Sequence, residues 1–251
     1  MKDPTKRFSN RVENYVKYRP GYPQEILRLF RDEMGLRQSS AVADIGSGTG
    51  ISAKLFLENG NPVFGVEPNE PMRRAAEEFL KDFPAFTSLA GTSTNTGLPD
   101  NSIDLITAFQ AFHWFEGDET SAEFARILKP NGYVALIWNE RQTDATPFLR
   151  EYERFLLKFA ADYTKVRHEN TGEKELREFF KKDFLRKTFQ NEQILDLDGL
   201  EGRVLSSSYM PAADDAGYEP MAEELKALFT KYQENGRITL LYDTRVNYGQ
   251  L

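Results

Sequence analysis

Ala41-Val-Ala-Asp-Ile-Gly-Ser-Gly-Thr-Gly50 limits what this 251-residue chain can fold into more than any other stretch. A short apolar run ends at Asp44-Ile45, glycines follow at the alternate positions 46, 48 and 50, and a helical pattern opens at Ile51. That order reads as a strand, a tight turn and a helix start. The glycines let the backbone take positive φ and let a ligand come close to it. N–H groups at the start of the next helix are then expected to face whatever sits in the turn. Open α/β sheets hold nucleotide ligands at such a place.

A second apolar run, Pro62-Val-Phe-Gly-Val66, ends on Glu67. A carboxylate one βα unit after the turn can accept hydrogen bonds from both hydroxyls of a ribose. Turn, spacing and acid together predict a nucleotide pocket, although Glu67 could also simply cap the next helix. The glycines run G-x-G-x-G, not the G-x-G-x-x-G of dinucleotide folds. Too little chain remains for a second βαβ half with its own substrate domain, which argues against a nicotinamide oxidoreductase.

Asp44-Ile-Gly-Ser-Gly-Thr-Gly50 resembles the first motif of class I methyltransferases, which use S-adenosylmethionine. Val66-Glu67-Pro-Asn69, Leu98-Pro-Asp-Asn-Ser-Ile-Asp104 and Arg126-Ile-Leu-Lys-Pro-Asn-Gly132 extend the resemblance over roughly residues 40 to 140. It implies S-adenosyl-L-methionine as cofactor. Gly46, Ser47, Gly48, Thr49 and Gly50 would hold its methionine and ribose portion, Asp44 would orient the turn or the amino group, and Glu67 with Pro68 would take the ribose. Members usually carry an acid shortly after the glycine that follows the third strand. Here Gly91 is followed by Thr92, Ser93 and Thr94, so a hydroxyl or the backbone is expected to hold adenine.

The opening segment places Phe8, Val12, Tyr15 and Val16 at amphipathic-helix spacing. That helix must stop near Arg19, because a residue before proline avoids the helical region. Tyr18-Arg-Pro-Gly-Tyr-Pro23 is then a rigid turn, with Pro23 suited to begin a second helix that ends at Gly35. The crowding of Arg11, Tyr15, Tyr18, Arg19 and Tyr22 resembles the N-terminal cover of methyltransferases akin to trans-aconitate methyltransferase. An ordinary helix packed on the sheet is the competing account. The resemblance makes Tyr15 and Arg19 cofactor contacts, with Arg19 set against a carboxylate of cofactor or substrate.

Further strands are expected at Phe86–Ala90, Ile103–Ala108, Tyr133–Trp138, Phe184–Leu195 and Ile238–Tyr248, with helices between them. Lys129-Pro-Asn-Gly132 reads as a turn before the fifth strand. The expected fold is α/β: a Rossmann-like, seven-stranded, mostly parallel sheet with an antiparallel last strand and helices on both faces. One domain spans 1–251, comprising an N-terminal helical cover (1–35), a cofactor-binding core (36–140), a helical substrate-side insertion (141–183), and C-terminal strands and helices (184–251).

Composition narrows the partners. A net charge of -7 is a poor match to a nucleic-acid backbone. Without cysteine there is no disulfide or thiolate-held zinc, and two histidines give no metal motif. No apolar run approaches a membrane span and the N-terminus is not a secretory signal, so a cytoplasmic protein is expected. A monomer and a homodimer are equally compatible with the chain.

Phe109-Gln-Ala-Phe-His-Trp-Phe115 follows the fourth strand and should reach the rim of the glycine turn. Gln110 joins the cofactor candidates, Trp114 the substrate pocket, and His113 is the candidate catalytic base. Asn139, Arg141 and Arg11 are candidate acceptor contacts. By the resemblance, the leading expectation is O-methylation of a small carboxylic acid, which is already ionised and needs only a cationic anchor. Methylation of a hydroxyl or ring carbon, with His113 as base, is the alternative. A non-catalytic S-adenosylmethionine-binding protein is the alternative of another class. The Asn-Pro-Pro-Tyr motif of amino-methylating enzymes is absent, which speaks against DNA or protein glutamine as acceptor.

Overall fold

A computed structural model describes residues 12–160, 163 and 172–251, with side chains from residue 14 onwards. Phe8, Arg11 and Thr171 lie outside the described residues. The chain runs α1 (Val12–Tyr18), α2 (Glu25–Met34), β1 (Val42–Ile45), α3 (Ile51–Glu58), β2 (Val63–Val66), α4 (Glu70–Phe79), β3 (Phe86–Leu89) and β4 (Ile103–Phe109). It continues with α5 (Gly117–Ile127), β5 (Leu128–Arg141), α6 (Pro147–Phe159), α7 (Glu173–Phe180), β6 (Leu185–Leu195), α8 (Leu197–Leu205), α9 (Tyr218–Tyr232) and β7 (Ile238–Gly249).

The described strands form one sheet in the order β3-β2-β1-β4-β5-β7-β6. β1 to β5 pair in parallel, while β7 runs antiparallel between β5 and β6. This is the expected Rossmann-like sheet. Strand order reverses between β1 and β4, so the turns after these two strands part to opposite sides and leave a crevice at their carboxyl ends.

Central strands β1 and β4 are buried along almost their whole length because helices cover both faces. On one face Ile26, Phe30 and Phe56 of α2 and α3 pack with Val42, Leu105 and Ile137. On the other, Phe124, Ile127, Phe179 and Phe180 of α5 and α7 pack with Ile45, Ile106 and Leu136. A third cluster gathers α6, α8 and α9 around Leu240 and Tyr242 of β7. The aromatic face of α6, Phe148, Tyr152 and Phe155, is spent on that packing.

Two local details differ from expectation. Lys129–Gly132 are not a turn before β5; they form an irregularity within it, between the pairs Ile103↔Leu128 and Leu105↔Tyr133. Asn131 takes the left-handed corner at φ +67°. The N-terminal segment also docks further away than helix packing on the sheet requires. Tyr18 packs on Gly202 of α8, Gln193 Nε2 donates to the Tyr18 carbonyl at 2.9 Å, and Asn139 and Asn191 both donate to the Gly21 carbonyl at 3.0 and 2.9 Å.

Candidate active site

The turn after β1 is built on three left-handed glycines, Gly46, Gly48 and Gly50, at φ +71°, +54° and +83°. Close approach matters as much as φ. A Cβ on Gly46 would lie 2.6 Å from the Ala111 side chain, and one on Gly50 2.6 Å from Leu80. The turn's own N–H groups are less available than expected. Gly46 and Ser47 both donate to the Val66 carbonyl, Gly50 to Ser47, and Gly48 to the Glu67 carboxylate. β2 and the acid that follows it have claimed three of these, and the turn itself the fourth. The Thr49 hydroxyl is buried and, among the described residues, has no hydrogen-bond partner.

Glu67, at the end of β2, accepts from Gly48 N at 3.0 Å on one oxygen and from Asn69 N at 2.9 Å on the other. Burial pushes its carboxyl up, partly offset by these two donors. Asp44 is fully buried beneath the turn and does not reach the cavity wall. Ser52 of α3 donates to it at 2.6 Å and Thr107 of β4 at 3.1 Å, so it ties three elements together. Burial raises its pKa to about 6.

A cavity of about 550 Å³ opens above this turn, within the range of small-ligand sites. Ser47, Gly48, Thr49, Glu67, Pro68 and the hydroxyl-rich Thr92–Thr94 loop line one end. Ser93 Oγ lies 2.8 Å from Thr120 Oγ1, anchoring that loop on α5. Gly50 is not in the wall; it packs on α4 instead. Gln110 lines the middle with φ +55°, an uncommon conformation outside glycine, and its amide donates to the Asn139 carbonyl at 3.0 Å. A single 3-10 turn, Phe112–Trp114, presents His113 and Trp114 to the cavity, their rings 4.7 Å apart. Tyr15, Arg19 and Tyr22 close it from the N-terminal side, Tyr22 meeting Phe109 edge-on at 4.5 Å.

The sequence-expected acceptor contacts have differing surroundings. Asn139 lines the cavity, but its side chain already accepts from Thr244 and donates to Gly21, so it holds the N-terminal turn in place. Arg141 is paired with Glu153, donates to the Tyr163 hydroxyl at 3.1 Å and lies over the Tyr152 ring. Arg11 lies outside the described residues.

Arg203 of α8, Ser208, Tyr209 and Tyr242 complete the wall and were not singled out in the sequence. Arg203 carried no local signal, since Leu197–Leu205 also holds Asp198 and Glu201. Glu67 lines the cavity at the glycine turn and Glu116 after the 3-10 turn, while Arg19, Arg141 and Arg203 line it where the end of α1, β5 and α8 converge. Among the described residues no group of His, Cys, Asp and Glu could hold a metal ion, and no helix is long and apolar enough to cross a membrane.

Comparison with known proteins finds methyltransferases from several sides. The family described as a methyltransferase domain matches residues 43–136. An uncharacterised methyltransferase-like protein of Schizosaccharomyces pombe is 31% identical over 158 residues, 62% of this chain and 60% of that protein. An uncharacterised methyltransferase of Mycobacterium tuberculosis is 33% identical over 140 residues, 56% of this chain and 55% of that protein. The chain thus spans less than two thirds of the length of these curated relatives.

Among solved structures, a provisionally named type II methyltransferase of Anaeromyxobacter dehalogenans superposes with a TM-score of 0.72 at 23% identity, over 93% of this chain and 98% of that one. Phosphoethanolamine N-methyltransferase 2 of Haemonchus contortus, solved with S-adenosyl-L-methionine, gives 0.57 at 17% identity over 98% of this chain and 58% of that one. At such identities the likeness is one of fold. Sheet order and the glycine turn after β1 agree with these likenesses: residues 43–136 match the methyltransferase-domain family, and the chain has the Rossmann-like fold of the solved methyltransferases.

Proposed function

We propose that this protein transfers a methyl group from S-adenosylmethionine to a small molecule, and that the accepting atom is a carboxylate oxygen. The observation that carries this reading is a single cavity joining the glycine turn and Glu67 to the guanidinium groups of Arg19, Arg141 and Arg203.

The residues at the glycine-turn end fit the cofactor. Both Glu67 oxygens keep a lone pair for ribose hydroxyls after accepting one N–H each. The Thr49 hydroxyl, without a hydrogen-bond partner among the described residues, supplies a polar group to the cofactor. Thr92 and Ser93 offer hydroxyls to adenine. Gln110, Tyr15 and Arg19 border the same space. Bound there, S-adenosylmethionine supplies an electrophilic methyl carbon on a sulfur that departs as a neutral thioether.

The chain's contribution is then mainly positioning. An ionised carboxylate would need no general base, so this chain's residues would have no proton to move and would only hold the acceptor against the cofactor's methyl group. The arginines bring the anion in, while Tyr15, Tyr22 and Trp114 wall the reacting atoms from water. The presence of His113 in the same wall favours a second reading, a hydroxyl acceptor with this imidazole as general base.

Calorimetric titration with S-adenosylmethionine and S-adenosylhomocysteine, followed by labelled-methyl transfer to small carboxylic acids, tests the proposal. Expected are micromolar-range binding, about -8 kcal/mol, and a product that releases methanol in base, as a methyl ester does. Binding with a base-stable product would move the reading to His113 and a hydroxyl. No binding of either ligand would overturn it.

A further inference from the structure

The apolar surface of the cavity is of two kinds. Ile51, Pro68, Met72 and Ala111 line the glycine-turn end, where Met72 lies 3.5 Å from the place a Cβ on Gly48 would take. At the arginine end the described residues of the wall include no Leu, Ile, Val or Met. Apart from Pro20, the apolar surface there is ring: Tyr15, Tyr22, Trp114, Tyr163, Tyr209 and Tyr242. Aliphatic residues are not scarce nearby. α8 carries Leu200, Val204 and Leu205, and all three pack into the cluster around β7.

Part of this ring surface serves the arginines. Arg141 is paired with Glu153, whereas Arg19 and Arg203 form no ion pair among the described residues. The Arg19 guanidinium lies 4.7 Å from the Tyr15 ring centre, Arg141 donates to the Tyr163 hydroxyl at 3.1 Å, and Arg203 hydrogen-bonds Tyr242. A tyrosine beside a desolvated cation gives it a negative ring face or an oxygen. That accounts for Tyr15 and for Tyr242, which is only 2% exposed. It leaves Tyr209 and Trp114, both partly buried. The Tyr209 ring meets that of Tyr163 at 5.0 Å and 50°, and among the described residues no cation lies over it. Trp114 leans on His113 at 4.7 Å.

We infer that the acceptor is an aromatic carboxylic acid: the arginine end receives its carboxylate, and Tyr209 with Tyr163 seats its ring. A flat ring packs closely on other rings, with its electropositive edge against their electronegative faces. A saturated ring with the same number of carbons is thicker and has no such charge distribution, so the same walls hold it less well. An aliphatic tail is matched best by branched chains, which this end lacks. The inference rests on the carboxylate reading above and adds what the rest of the acceptor is.

The test is calorimetry on protein saturated with S-adenosylhomocysteine, titrated with two matched pairs: benzoate against cyclohexanecarboxylate, and phenylacetate against cyclohexylacetate. All four are ionised at neutral pH, and each pair differs only in the ring. At least one aromatic acid is expected to bind about threefold to tenfold more tightly than its partner. Tyr209→Leu, which keeps an apolar side chain but not the ring, should bring that pair level. Tyr209→Phe should keep the preference. Both variants should hold S-adenosylhomocysteine as the parent does, which also reports that they are folded.

Equal or tighter binding of the saturated acid in both pairs overturns the inference alone, and so does a preference undiminished in Tyr209→Leu. A Tyr209→Leu protein that loses S-adenosylhomocysteine places the ring against the cofactor and overturns it as well. Binding of S-adenosylhomocysteine but of none of the four acids overturns the carboxylate reading and this inference with it. A parent protein that fails to bind S-adenosylhomocysteine overturns the reading of the whole cavity.

Discussion

Gly48 donates its backbone N–H to the Glu67 carboxylate at 3.0 Å, so the middle of the glycine turn is held by the acid at the end of the neighbouring strand. The other carboxylate oxygen holds the Asn69 N–H at 2.9 Å, where α4 begins. One side chain therefore shapes the cradle after β1 and the loop after β2 while lining the cavity between them. A ligand that bonds Glu67 meets a group whose position is already set, which lowers the ordering cost of binding.

Replacing Glu67 tests that double role. A hydrogen bond to a charged group contributes about 1.5–3 kcal/mol. Glu67→Ala is accordingly expected to weaken S-adenosylmethionine binding about ten- to a hundredfold by calorimetry. Equal affinity in variant and parent would remove Glu67 from the ribose site.

Asp44 makes a prediction about pH. Burial raises it from its ordinary 3.8 to about 6, with Ser52 and Thr107 offsetting part of the rise and the Glu67 charge adding to it. A carboxyl with a raised pKa in the folded state holds its proton more tightly there than in the unfolded chain. Ionising it costs stability: the cost is absent below its unfolded pKa, grows as pH rises towards 6 and is complete at pH 7. Two units amount to about 3 kcal/mol. Asp44→Asn does not titrate, so its urea-unfolding free energy relative to the parent should rise by about that amount from pH 4 to pH 7. Parallel pH profiles for the two proteins would rule out the shift.

Gly202 lets the N-terminal segment dock. An alanine Cβ there would lie 2.1 Å and 2.2 Å from Tyr18 ring atoms, so the ring must leave. Alanine is the better helix residue by about 1 kcal/mol, and global stability should change little. The cavity wall formed by Tyr15, Arg19 and Tyr22 should nevertheless be loosened. Gly202→Ala is expected to bind S-adenosylhomocysteine about tenfold more weakly and to be cleaved faster by protease before Pro23. Unchanged affinity would show that the cofactor does not need the N-terminal wall.

Much of the fold was legible in order along the chain, because its causes are local. Apolar runs marked the strands, alternate glycines marked the turn, and Asn69 was readable as the cap of α4, where it accepts from Met72 N at 3.1 Å. The class I sheet followed from the sequence of these units and the G-x-G-x-G spacing. The Lys129–Gly132 irregularity was misread as a turn because proline, asparagine and glycine have the same local preferences in a turn and in a strand defect.

The rest depended on partners far away in sequence. Gly48 looked like a free donor until β2 placed Glu67 against it, and Asn139 looked like a substrate contact until Gly21 and Thr244 took its amide. Arg203 was one arginine among many until α1 came to rest on α8, bringing Arg19 to Ser206 across 187 positions of chain. Backbone preference and apolar periodicity act over a few residues, so the sequence alone determined the strands, the turn and the class of fold. Whether a polar group is bonded, buried or left open to a ligand depends on neighbours that only the folded chain assembles, so the tertiary structure decided which arginines face the cavity without an acid.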